Sequence, residues 1–145
     1  MQIEEIMTES VATVDSSASV ADCARTMLKR GAGSVVVRVD GTPAGIVTES
    51  DALRAGVKSG RPLHKIPARA VMSNPIKWVR PDSTVRVAAK KMEDERVKKL
   101  VVVDGAKMVG IVTATDIAFH VSDVARGVGE MIEMKKKWES ERRFR

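Results

Sequence analysis

Gly45-Ile46-Val47-Thr48-Glu49-Ser50-Asp51 returns as Gly110-Ile111-Val112-Thr113-Ala114-Thr115-Asp116, 65 residues further along the chain. The same spacing pairs Met7 with Met72, Val14 with Val79, Val20 with Val85, Ala24 with Ala89, Met27 with Met92, and Val36-Val37 with Val101-Val102. Apolar positions and the polar heptapeptide repeat together, which marks a tandem duplication. The register is expected to slip by one residue only around the turns Asp40-Gly41 and Asp104-Gly105, where a hairpin absorbs a length difference.

Each copy reads as strand, helix, strand, strand, helix. In the first, Ser19 is the expected N-cap of a helix that buries Val20, Cys23, Ala24, Met27 and Leu28 and stops at Gly31, a residue suited to a left-handed cap. In the second, Thr84 is the cap, and Val85, Ala88, Ala89 and Met92 form the buried face. Two short strands follow in each: Ser34 to Val39 with Gly45 to Val47, and Leu100 to Val103 with Val109 to Val112. Thr48 and Thr113 end the last strand three residues before Asp51 and Asp116, where the N-cap of the next helix belongs.

The stretch 58–67 holds Gly60, Pro62 and Pro67 with no sustained period and reads as a connection. The expected organisation is a first repeat at 1–57, a linker at 58–69, a second repeat at 70–120 and a basic helical extension at 121–145. In the extension Val121, Val124, Val128, Met131 and Trp138 fall at helical spacing. Gly127 and Gly129 are expected to break it, leaving a separate helix from Glu130 to Arg145. A single copy of roughly 60 residues buries too little surface to be stable alone, so the two copies are expected to pack sheet to sheet about a pseudo-twofold axis.

The chain is 43% hydrophobic and 30% charged, the balance of a compact α/β protein with an aliphatic core. Cys23 is the only cysteine, so one chain can build neither a disulfide framework nor a cysteine-based metal site. The acidic start, with Glu4, Glu5 and Glu9, is unlike a signal peptide, and no stretch is long enough to span a membrane; a cytoplasmic location is expected. Of the formal charge of +6, the last eleven residues contribute +4, from Lys135, Lys136, Lys137, Arg142, Arg143 and Arg145 against Glu139 and Glu141. Such a tail can bind nucleic acid or an acidic protein partner, or can simply be a solvated helix end whose cations suit the helix dipole. Nothing resembles a phosphate-binding loop, a nucleophile elbow or a metal-ligand cluster, and His64 and His120 have no partner carboxylate and nucleophile at catalytic spacing. The reading is non-catalytic.

The heptapeptide suits a ribonucleotide. Its glycine admits close backbone approach, the threonine hydroxyl and the free amides of a helix start can donate to a phosphate, and an aspartate one turn later can accept from both ribose hydroxyls. The same residues also serve as plain helix caps, with Asp51 and Asp116 complementing the dipole.

A β-α-β-β-α repeat ending in Gly-hydrophobic-hydrophobic-Thr-x-x-Asp resembles the cystathionine-β-synthase (CBS) domain, and two in tandem resemble a Bateman module, from about Ile6 to Ala118. The resemblance implies a regulatory module that binds AMP, ADP, ATP, S-adenosylmethionine or a related adenosyl ligand in two clefts between the repeats. It also implies a homodimer formed through the helical faces. Adenine is then expected near Ser10, Val11, Ala12 and Thr13 in one cleft and Pro75, Ile76, Lys77 and Trp78 in the other, walled by Ile46 and Ile111. Lys98 and Lys99 stand where nucleotide-binding relatives carry phosphate-directed cations, opposite Gly33 and Ser34 of the first copy. Thr48, Asp51, Thr113 and Asp116 complete the expected sites.

Overall fold

Val20, Cys23 and Met27 recur every three or four residues, and in the computed structural model, which describes residues 1–121 and 123–143, they form the buried stripe of a helix. In order, the elements are β1 (Thr13–Asp15), α1 (Val20–Arg30), β2 (Ser34–Val39), β3 (Thr42–Thr48), α2 (Glu49–Ser59), α3 (Ala68–Val71) and β4 (Trp78–Val79). There follow α4 (Val85–Glu95), β5 (Lys99–Asp104), β6 (Lys107–Thr113), α5 (Ala114–His120) and α6 (Asp123–Arg143); short 3-10 turns lie at Ile3–Glu5 and Leu63–Lys65. The chain is an α/β protein with two β-α-β-β-α repeats and a C-terminal helix.

Each repeat builds a three-stranded sheet, β1-β2-β3 or β4-β5-β6, whose first pair is parallel and whose second is an antiparallel hairpin. The caps lie where the sequence puts them. The hydroxyls of Ser19 and Thr84 accept from the backbone N–H of Asp22 and Val87, and Gly31 takes a left-handed φ of 61°.

The chain divides into two compact units, one of residues Ser10–Ile76 and one of Met1–Glu9 with Lys77–Arg145. In the first, Ala12, Val20, Cys23, Met27, Val35, Val37, Val47, Ala52, Ile66 and Ala68 form the core; in the second, Ile3, Ile6, Val79, Ala88, Met92, Leu100, Val102 and Val112 do so. The segments that precede the first strand of each repeat are thus exchanged. The N–H of Val20 donates to Ile66 O and that of Ala68 to Ala18 O; in the other unit Val85 N–H donates to Met1 O and Ile3 N–H to Ser83 O. These segments are themselves equivalent at the 65-residue spacing.

Four sequence expectations change. Leu28 is 56% exposed, and Ala89 is exposed as well, because each lies at the solvent edge of a stripe centred on Cys23–Met27 or Ala88–Met92. The 65-residue spacing does not slip at the turns: Val39 pairs with Thr42 and Asp104 with Lys107, so both loops have two residues, and each hairpin carries the same bulge, between Val37 and Arg38 and between Val102 and Val103. The Asp-Gly pairs are offset by one residue because the first loop places Asp40 and Gly41 at positive φ, whereas the second uses Gly105 alone. Finally, α6 runs unbroken through Gly127 and Gly129. Glycine keeps its N–H, and a cost of about 1 kcal/mol each is one that good helix formers on both sides can offset.

Candidate functional site

Strand alternation sends side chains to opposite sheet faces. Val35, Val37 and Val47 face the helices, so Ser34, Val36, Ile46 and Thr48, at the alternate positions, face away. Register extends that face to β1: Thr13 pairs with Val36, Val36 with Ile46, and Ser34 with Thr48. The second repeat has the same rows, Trp78–Val101–Ile111 and Lys99–Thr113. The structure therefore gathers Thr13, Ile46 and Thr48 on one face, and Trp78, Lys99, Ile111 and Thr113 on its counterpart. Val36 and Val101, at the centre of each face, are fully buried yet lie outside the helix-side cores.

Thr48 and Thr113 each close a capping box. Thr48 N–H donates to Asp51 Oδ2 at 2.9 Å, and Asp51 N–H donates to Thr48 Oγ1 at 3.1 Å. The matching distances for Thr113 and Asp116 are 2.9 and 3.0 Å. The capping role is real, and it does not use up the side chains. Each threonine hydroxyl accepts here and keeps its proton to donate, and each aspartate keeps Oδ1. That oxygen lies 3.5 Å from Arg54 Nη1 in the first repeat. Among the described residues no cation pairs with Asp116, because Phe119 stands at the position equivalent to Arg54. The first amides of α2 and α5 are also committed, Glu49 N–H to Gly33 O and Ala114 N–H to Lys98 O. Ser50 and Thr115 supply the next N–H groups, which have no acceptor among the described residues.

The glycine of the motif serves the chain itself. A Cβ on Gly45 would stand 2.9 Å from Ser73 O, and one on Gly110 the same distance from Thr8 O. Those segments cross the strand there: Ile46 exchanges backbone hydrogen bonds with Ser73, and Ile111 with Thr8. The close backbone approach seen at both glycines is that of a chain segment.

The remaining site expectations fall at the strand entrances. Ala12 O accepts from Val36 N–H and Lys77 O from Val101 N–H, which anchors both first strands. Val11 is partly exposed and Ser10 exposed; the Ser10 carbonyl and hydroxyl accept from Arg30 Nη2 at 3.1 and 2.6 Å. Pro75, after a cis peptide bond, and Ile76 lie in the first compact unit, whereas Lys77 and Trp78 lie in the second. Lys77 pairs with Glu95 at 3.3 Å; Lys91 donates to Trp78 O and stands 5.3 Å from its ring. Lys98 is exposed and falls outside β5, so of the two lysines only Lys99 lies on the face of Thr113. Arg30, Arg54 and Glu95 were not singled out from sequence; the three-residue spacing of Asp51 and Arg54 on a helix was the available signal. Among the described residues no three His, Cys, Asp or Glu side chains gather as a metal site, and no helix is long and apolar enough to cross a membrane.

Two α/β repeats, each ending in a Thr–Asp capping box beside an apolar sheet face, define a tandem-repeat α/β module. The CBS domain family matches residues 3–58 and 68–123, and the chain belongs to that family. An uncharacterised protein of Methanopyrus kandleri is 34% identical over 119 residues, 81% of this chain; the chain spans 61% of that relative's length. A CBS domain protein from Pyrobaculum aerophilum, solved in complex with AMP, superposes with a TM-score of 0.74 at 25% identity, covering 86% of this chain and 95% of that one. A CBS domain pair solved with 5′-methylthioadenosine and S-adenosyl-L-methionine has a TM-score of 0.73 at 24% identity, covering 81% of this chain and 93% of that one.

Proposed function

We propose that the chain is a non-catalytic, cytoplasmic regulatory module that senses an adenosyl ligand: AMP, ADP, ATP or S-adenosylmethionine. The observation that carries this reading is the duplicated face on which an apolar row, Val36–Ile46 or Val101–Ile111, runs beside a threonine hydroxyl and an aspartate whose Oδ1 takes no part in the capping box, although in the first repeat Arg54 pairs with it. An apolar row suits a purine face, a hydroxyl donor suits phosphate, and a carboxylate oxygen suits ribose hydroxyls. The family likeness to a protein solved with AMP supports the same class of ligand. Ser10 to Thr13 and Pro75 to Trp78 are the strand entrances assigned to the base. Thr48, Asp51, Thr113 and Asp116 are assigned to ribose and phosphate, and Lys99 and Lys98 to phosphate charge.

The reading includes a homodimer through helical faces, because Leu53 and Val57 on α2 are 72% and 84% exposed and Val87 on α4 is 54% exposed. Isothermal titration of the full chain with AMP, ADP, ATP, S-adenosylmethionine and guanosine monophosphate tests the reading. Saturable binding of one adenosyl ligand, with guanosine monophosphate inert, is the expected result; heat of dilution alone for all of them overturns it.

A further inference from the structure

Helix α6 carries an apolar stripe on the side away from its own unit. Its inner side is marked by Gly129, where a Cβ would sit 3.8 Å from Phe119 Cδ2. On the opposite side Val128, Met131, Met134 and Trp138 are 44, 71, 51 and 57% exposed. Their spacing of three, three and four residues aligns them along one edge of the helix. Glu133, Met134, Lys137, Trp138 and Glu141 line a shallow groove there. Net charge changes sign along the helix: Asp123, Glu130 and Glu133 against Arg126 give −2 before the stripe's centre, and Lys135, Lys136, Lys137, Arg142 and Arg143 against Glu139 and Glu141 give +3 after it.

This segregation selects the occupant. A parallel second helix would oppose lysines to lysines, whereas an antiparallel one sets each acidic half beside a basic half and opposes the helix dipoles favourably. Nucleic acid suits the stripe poorly, because carboxylates at Glu130, Glu133 and Glu141 flank it. We propose that α6 is a self-recognition helix, which pairs antiparallel with α6 of a second copy of this chain. In the register that joins Glu130 to Lys137 of the partner subunit, Met134 lies beside the twofold axis. Trp138 then covers Val128 of the partner subunit. This surface belongs to the second compact unit, whereas α2 belongs to the first.

Sedimentation equilibrium of the full chain tests the pairing. Trp138→Glu combined with Met131→Glu is expected to weaken one association step by about tenfold or more, with circular dichroism and thermal midpoint unchanged. Leu53→Glu should leave that step intact, so failure of the α2 dimer and failure of the α6 pair are read separately. Glu130→Lys alone should weaken the pair, and adding Lys137→Glu should restore it, a rescue unavailable within one helix because the two residues stand seven apart. Met134→Cys should be joined to its own copy by a short bismaleimide, and Val128→Cys should not. An unchanged mass for the double glutamate variant, or equal cross-linking at 128 and 134, overturns the proposal.

Discussion

The Sδ of Met72 lies 2.6 Å from where a Cβ on Gly45 would stand, and the Sδ of Met7 holds the same relation to Gly110 at 2.6 Å. A thioether can rotate away, but Ser73 O and Thr8 O, at 2.9 Å from the same points, are held by paired backbone hydrogen bonds. Gly45→Ala and Gly110→Ala should therefore each destabilise by about 1–3 kcal/mol, measured by urea unfolding. Gly56→Ala, whose Cβ would meet only the flexible end of Leu63 at 3.1 Å, should be neutral or mildly stabilising within its helix.

Ile3 is fully buried in the unit formed with residues 77–145, although it leads into the first strand of the first repeat in sequence. Ile3→Ala should cost about 2–5 kcal/mol, and the loss should appear in the second repeat. Hydrogen exchange is expected to accelerate more at Leu100, Val101 and Val102 than at Val35, Val36 and Val37. Equal acceleration in both sheets, or loss in the first alone, would contradict the exchanged arrangement.

The elements that local chemistry decides were legible in the sequence. Caps at Ser19, Thr48, Thr84 and Thr113, the Gly31 stop and the strand pairs follow from residues within a few positions of one another. The exchange of lead-in segments was not legible, because Met7 and Met72 carry the same local pattern whichever sheet they cross. Nor was the engagement of Lys77 by Glu95 or of Ser10 by Arg30, which joins residues 18 and 20 positions apart. The candidate face was half legible: alternation put Ile46 with Thr48 and the family resemblance named Thr13, Trp78 and Lys99, but strand register was needed to set these three in rows with Val36, Val101 and Thr113.

Arg96 ends α4 at a left-handed φ of 54°, where Gly31 ends α1 at 61°. A side chain in that region costs roughly 1–2 kcal/mol relative to glycine. Arg96→Gly should raise stability by about 1 kcal/mol once the greater freedom of glycine in the unfolded chain is subtracted. Gly31→Arg should lower it. Thermal midpoints of both variants measure the pair of effects.

Burial pushes the Cys23 thiol from an ordinary 9.0 up to about 11. The folded state holds the proton more tightly than the unfolded one, so this contribution to stability is fully present below about 9. It is lost as pH rises toward about 11. Iodoacetamide at pH 8 should therefore modify Cys23 only at the rate of unfolding, and Cys23→Ala should flatten the alkaline end of the stability curve. Rapid labelling of the native chain would show that the thiol is reachable.

Asp51 and Asp116 hold the same capping box but differ in what stands beside Oδ1. In the first repeat Arg54 lies 3.5 Å away and competes for that oxygen; in the second, Phe119 replaces it and Lys99 joins the face beside Thr113. On the proposed reading, a ribose hydroxyl at Asp51 would have to displace the arginine, whereas at Asp116 it would meet an oxygen with no such competitor among the described residues. A phosphate near Thr113 would also gain a charge-assisted contact for which Ser34 offers no equal. The site of the second repeat should accordingly bind phosphorylated adenosyl ligands more tightly, by about 1–3 kcal/mol if the contact is shielded from water and less than about 1 kcal/mol if it is not. Titration calorimetry with AMP and adenosine reads the difference. Asp116→Ala should abolish the tight phase, and Asp51→Ala should leave it. Arg54→Ala should strengthen the weaker phase, and Lys99→Ala should weaken AMP more than adenosine. Loss of the tight phase in Asp51→Ala, or equal weakening of AMP and adenosine by Lys99→Ala, would place the stronger site in the first repeat or remove phosphate from the second.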